Sequence, residues 1–187
     1  MISVNDLKPG VTIELDGQVY QVIESEHHKP GKGQAVVRTR LRDVKTQKVF
    51  SKTFTAQVKV PRARVERRDM QFLYSQGDIY CLMDIETYEQ IEVPLEQIKD
   101  VAPWLKEGET VNMVSHNGEL LGLEPAHTVE RRITKTDPGV RGDTAQGGTK
   151  PAVIEGGVTV TVPLFVNEGE VIRVDTRSGE YLERVSN

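Results

Sequence analysis

The chain has 187 residues, 37% hydrophobic and 28% charged, with 24 Lys+Arg against 28 Asp+Glu and a formal net charge of −4. No apolar run approaches the roughly 20 residues of a bilayer-spanning helix, no basic or apolar leader marks the N-terminus, and the single Cys81 admits no intramolecular disulfide. These features exclude a helical membrane protein and a disulfide scaffold, and describe a soluble cytoplasmic protein of one or two domains, or of three modules near 60 residues.

The charge is unevenly spread. Residues 1–64 hold 12 Lys+Arg against 6 Asp+Glu, residues 65–128 hold 4 against 13, and residues 129–187 hold 8 against 9. A basic end beside an acidic middle suits a molecule that meets a polyanion with one end only.

In chain order the elements read almost entirely as strands. Val11, Ile13 and Leu15 alternate up to Asp16-Gly17, a two-residue hairpin signal because both positions must reach positive φ. Runs over Val19–His27 and Ala35–Val44 bracket a loop from His28 to Gln34, and Val49–Thr55 follows Thr46-Gln47. Five short strands in about 60 residues predict a small SH3-like (KOW-like) barrel over residues 1–64. From Val65 the pattern restarts with strands at Gln71–Tyr74, Ile79–Ile85 and Tyr88–Val93. Leu95, Ile98, Ala102 and Leu105 have helical spacing that Pro103 limits to a turn or two, and Asn117-Gly118 joins Thr110–Ser115 to Leu120–Leu123. Three strands, a short helix and two strands are the order of an OB-fold, here acidic, over 65–128. Strands at Val129–Thr136, Val158–Val162, Val171–Asp175 and Tyr181–Val185 predict a second OB-like barrel over 129–187. In it, a loop between Pro138 and Pro151 replaces the helix. The fold expected is all-β, with three small barrels joined by short linkers that favour close packing.

The segment His28-Lys29-Pro30-Gly31-Lys32-Gly33 places a lysine between two glycines near a hairpin tip, exposed and without local acidic partners. Such a lysine can enter a narrow cleft or be reached by a modifying enzyme. Arg38, Arg40 and Arg42 alternate on the outgoing strand, share one face and can track a phosphate backbone. The loop from Gly142 to Lys150 imitates a nucleotide-binding P-loop, but Gly148 stands where the lysine belongs, so NTP hydrolysis is excluded. Asp84, Glu86 and Glu89 lie in a generally acidic stretch without a nucleophile and read as a solvated face. His27, His28, His116 and His127 show no metal-ligand spacing, so no metal is expected. Cys81 reads as a small buried hydrophobe and Trp104 as core.

Several spaced motifs carry a resemblance. They are Met1-Ile2-Ser3-Val4-Asn5-Asp6, the Lys29–Gly33 tip, Glu86-Thr87-Tyr88-Glu89-Gln90-Ile91, Pro138-Gly139-Val140-Arg141-Gly142-Asp143-Thr144, and the ending Val174–Tyr181. A C-terminal signature runs through Lys150, Ala152, Gly157, Val160, Val162-Pro163, Val166 and Gly169. Along its whole length the chain resembles the bacterial translation elongation factor P family. The resemblance implies an L-shaped, monomeric, non-enzymatic factor without cofactors. Such a factor binds both ribosomal subunits beside the P-site peptidyl-tRNA and relieves stalling at consecutive prolines. It implies that Lys32 reaches the CCA end of the tRNA, often after extension by a lysine-modifying enzyme, and that the 138–144 loop (Pro138, Gly139, Arg141, Gly142, Asp143, Thr144) approaches the small subunit and the E-site codon. His28 stands where some relatives carry Val, and a lysine at position 32 excludes the subgroup with a glycosylated arginine. The competing expectation is a general single-stranded-RNA-binding OB protein or RNA chaperone, which an aromatic content of 5% disfavours.

Overall fold

The computed structural model describes residues 1–139 and 148–185. Its first strands are β1 (Ile2–Ser3), β2 (Thr12–Leu15), β3 (Gln18–His28), β4 (Val36–Asp43), β5 (Val49–Thr55) and β6 (Lys59–Val60). β2-β3-β4-β5 form one antiparallel sheet and β1 pairs with β6. Asp16 and Gly17 have φ of 51° and 77°, the mirror-image turn that matches strand twist. Val4, Leu7, Ile13, Val22, Val37, Leu41, Phe54 and Val60 fill the space between the sheets.

The second set is β7 (Glu66–Gln76), β8 (Ile79–Asp84), β9 (Gln90–Pro94), β10 (Thr110–His116) and β11 (Glu119–Glu124), in the sheet order β11-β10-β7-β8-β9. The third is β12 (Thr128–Thr136), β13 (Thr149–Ile154), β14 (Thr159–Pro163), β15 (Val171–Asp175) and β16 (Tyr181–Arg184), in the order β14-β13-β12-β15-β16. Counted within each set, both orders are 3-2-1-4-5, so the two sheets share one topology. The helical segment of the second set consists of two 3-10 turns, Leu95–Gln97 and Ala102–Trp104.

The third sheet corrects one expectation. β13 begins inside the supposed loop, at Thr149, and runs past its end at Pro151, so the 137–148 connection joins the first and second strands of this sheet. The place of the helix, between third and fourth strands, is taken instead by 164–170, which contains no helix. Pro151 hides β13 from a sequence reading, since proline cannot donate to a ladder. It is tolerated because the β12 pairing ends at Thr136↔Ala152, one residue short of it.

One turn recurs three times. Oδ1 of Asp43, Asp84 and Asp175 accepts from the backbone N–H two residues on, in each case at 2.8 Å. It accepts again from Thr46, Thr87 and Ser178 at 3.1, 3.2 and 3.4 Å. The next residue then takes positive φ: Gln47 at 62°, Tyr88 at 63° and Gly179 at 75°. The same local chemistry closes β4–β5, β8–β9 and β15–β16. The N–H groups of Glu86 and Thr87 hold the Asp84 carboxyl below its usual range, and the side chain and N–H of Arg177 lower Asp175 to about 2.

The chain divides into two compact units. Residues 1–67 include the tip of the β10–β11 hairpin, 114–122, in their unit, where Val114 and Leu121 pack with Val19 and Ala63. His116 Nδ1 lies 2.8 Å from the Arg64 carbonyl, and Lys45 pairs with Glu119. The remaining residues form the other unit, centred on Arg131, whose side chain is 1% exposed. Its guanidinium donates to both Glu109 oxygens at 2.8 Å, and to the carbonyls of Trp104 and Glu130 at 2.7 Å. Beside it, a Cβ at Gly156 would stand 2.1 Å from the Pro103 carbonyl oxygen, which dictates glycine there.

Arg131→Met keeps the buried stem but leaves the Trp104 and Glu130 carbonyls without their donor and removes the ion pair with the half-exposed Glu109, and should cost about 2–3 kcal/mol in urea unfolding; a loss below 0.5 kcal/mol, roughly the scatter of surface substitutions, would refute it. Asp175 titrates near 2 in the fold against 3.8 when free, so its contribution is complete above about pH 4 and fades as pH falls through about 2. Asp175→Asn should therefore lower Tm at pH 6, with the gap narrowing between pH 4 and 2. A pH-independent gap would contradict the assignment.

Candidate nucleic-acid interface

The β3–β4 ladder runs to His28↔Val36, leaving 29–35 as the tip loop. Lys29, Gly31, Lys32 and Gly33 are exposed, and Lys32 has no ion pair among the described residues. Gly33 has φ 114°, a conformation that favours glycine; Gly31 borders open space. Four residues beyond the ladder, Lys32 can stand at most about 14 Å from its end. The base of the loop is braced. Ala56 N–H donates to the Ala35 carbonyl at 2.9 Å, and Asn5 Nδ2 donates to the Ala56 carbonyl at 2.6 Å. Ser3 caps the 3-10 turn Val4–Asp6 that carries Asn5. The opening motif thus steadies the loop that carries Lys32.

Along β4, Val37, Thr39 and Leu41 are buried while Arg38 and Arg40 are exposed and Arg42 is half-exposed. The three arginines share the outer face, as the alternation requires. Sequence reasoning missed what stands beside them. The register sets Glu26 opposite Arg38 and Glu24 opposite Arg40, and the Arg40–Glu24 pair closes at 3.2 Å. On the other side lie Thr53, Ser51 and Val49 of β5. Arg38 and Arg42 carry no ion pair among the described residues. The face therefore offers two available guanidinium groups and one already engaged. Only the cross-strand register reveals this, because Glu24 and Arg40 are 16 residues apart.

At the other candidate region, Arg141, Gly142, Asp143 and Thr144 lie outside the described residues, as does most of the P-loop-like segment. Its flanks are set by close packing: a Cβ on Gly139 would come 2.1 Å from the Leu164 carbonyl oxygen, and one on Gly148 would come 2.7 Å from Leu164 Cδ1. Lys150, buried rather than exposed, donates to the Asp137 carbonyl at 2.6 Å.

The remaining candidates have structural roles. Asp84 is a buried turn acceptor. Cys81 is buried, with Sγ 3.7 Å from Gln90 Oε1. Trp104 is half-buried against the core of the third sheet. Among the described residues no group of three or more His, Cys, Asp or Glu could hold a metal.

Three family models match the chain. They are the elongation factor P KOW-like domain over residues 3–60, its OB domain over 65–123 and its C-terminal domain over 129–184. An elongation factor P from Acetivibrio thermocellus is 53% identical over 185 residues, covering 99% of this chain and 100% of that protein. One from Moorella thermoacetica is 51% identical over 184 residues, covering 98% and 100%. Among solved structures, a eukaryotic translation initiation factor 5A from Methanococcus jannaschii aligns with TM-score 0.52 and 27% identity, covering 64% of this chain and 88% of that one. With matched models over all three segments and relatives identical at half of all positions, the chain belongs to the elongation factor P family, translation elongation factors rather than enzymes.

Proposed function

We propose that the factor acts in the cytoplasm as a monomer, through three modules over 1–64, 65–128 and 129–187. It binds both ribosomal subunits beside the P-site peptidyl-tRNA, and it stimulates bond formation at consecutive prolines by holding the tRNA CCA end. The observation that carries this reading is the exposed Lys32 at the apex of a braced loop. A cation on a flexible stem, delivered by a fixed base, can donate hydrogen bonds to RNA backbone oxygens in a cleft too narrow for a folded surface. Proline is a hindered nucleophile with fixed φ, so its transfer gains most when the reacting ends are already aligned. A lysine-modifying enzyme acting on Lys32 would extend the same reach. The outer face of β4 supplies phosphate contacts behind the tip, and the 138–144 loop approaches the small subunit and the E-site codon.

Lys32→Ala should leave folding within about 0.5 kcal/mol of the parent, since an exposed tip residue touches no core. It should bind loaded ribosomes nearly as well but lose most of the stimulation of a Pro-Pro-Pro reporter in purified translation, while a proline-free reporter is unaffected. Full stimulation by the Ala variant would overturn the assignment. For the arginines, Arg38→Gln and Arg42→Gln should each reduce the slope of log affinity against log salt by about 1. Arg40→Gln should change it less, because Glu24 already engages that side chain. Unchanged slopes throughout would show that this face meets no phosphate, and equal affinity for ribosomes and arbitrary RNA would favour a general RNA-binding role.

A further inference from the structure

The second compact unit contains a groove of about 790 Å³ that the family assignment does not use. Its walls are Val101, Trp104, Val111, Pro125 and Ala126, and its charged lining consists of Asp69, Asp100, Glu124, His127 and Arg177. That volume lies in the upper part of the range of ligand pockets. The groove is also pre-shaped. Thr176 Oγ1 donates to the Ala126 carbonyl at 2.6 Å and Thr176 N–H donates to the His127 carbonyl at 2.9 Å, fixing the segment between β11 and β12 against the β15–β16 turn. Asn112 Nδ2 donates to Asp69 Oδ1 at 3.0 Å and so sets the orientation of that carboxylate.

The electrostatics select the occupant. Arg177 is committed to Asp175, Nη2 to Oδ2 at 3.0 Å, which leaves Asp69 and Asp100 to set the sign of the lining. Asp100 has no partner among the described residues. The Oδ1 of Asn112 is out of solvent and has no donor among them. Phosphate is repelled from such a site. A purely apolar group would desolvate the carboxylates without replacing their hydrogen bonds. What fits is an aliphatic stem ending in ammonium or guanidinium, with the stem along Val101 and Pro125 and the charge at Asp69 and Asp100. Trp104 adds a ring face for a cation. A free diamine occupies only a small part of this volume, whereas a short extended segment of chain fills it.

We propose that this groove binds an extended basic peptide segment of a partner protein, through Lys or Arg side chains held by Asp69 and Asp100. The site is separate from the Lys32 tip and the β4 arginines, so its test stands apart from theirs. Trp104 is the single tryptophan of the chain, which makes its fluorescence a direct reporter of the groove. The full chain is titrated with acetyl-Ala-Lys-Leu-Arg-Ala-Lys-amide, with the analogue carrying Glu at every basic position, with spermidine, and with a single-stranded oligonucleotide.

The basic peptide should give a saturable change that weakens with added salt, and the acidic peptide and the oligonucleotide should give none. Spermidine should bind at least tenfold more weakly than the basic peptide. Asp100→Asn alone, and Asp69→Asn with Asp100→Asn, should keep the parent Tm within about 2 °C, and the double variant should bind the peptide at least tenfold more weakly. Spermidine binding as tightly as the peptide would reassign the groove to free polyamines and overturn the proposal. So would no saturable signal, or undiminished affinity in a folded double variant.

Discussion

The burial of Val37, Thr39 and Leu41 on the inner face of β4 is the constraint from which the tip geometry follows. Strand side chains alternate, so fixing these three inward fixes Arg38, Arg40 and Arg42 outward, and a one-residue slip would bury the arginines. The same ladder ends at His28↔Val36 and decides where the loop bearing Lys32 begins. A lysine on an unbraced hairpin would lose part of any binding energy to ordering its own backbone. Here that ordering is supplied in advance, through β5 by way of Ala56 and through the N-terminal turn by way of Asn5.

The second unit solves a different problem. The 3-10 turn Ala102–Trp104 and Glu109, just before β10, meet β12 at Arg131, whose buried guanidinium donates to the half-exposed Glu109 carboxylate and to two carbonyls. A buried guanidinium is a poor source of stability unless every donor is used. Its gain is directional, since the planar fork accepts one arrangement of Glu109 and Trp104. Gly156 against Pro103 and the Lys106–Glu155 pair at 3.2 Å add contacts that the same arrangement satisfies. The acidic groove lies beside this junction, and Trp104 belongs to both.

Much of this was legible in the sequence because it is local. Asp16-Gly17 and Asn117-Gly118 announce their turns through the φ values that the residues must adopt, and the β4 arginines announce their shared face through spacing alone. What stayed hidden is non-local or breaks a local rule. β13 was lost to Pro151, whose position past the end of a ladder can be seen only once the pairing is known. β1 and β6 are two residues each and carry no period. Glu24 and Glu26 beside the arginines needed the register, and the groove draws its lining from separate stretches between Asp69 and Arg177. The burial of Lys150 and Arg131 contradicts the ordinary preference of charged residues for solvent, and each is explained by the carbonyls that it satisfies.

The central claim is that position 32 lies against the 3′ end of the P-site tRNA during peptide transfer. Cys81 is buried, so Lys32→Cys in the full chain can be labelled selectively with a short photocrosslinker. Bound to ribosomes that carry 3′-labelled peptidyl-tRNA in the P site, the labelled factor should crosslink mainly to the terminal CCA nucleotides, and the yield should fall when the P site is empty. Crosslinks confined to ribosomal RNA or protein, with none to the tRNA end, would contradict the account.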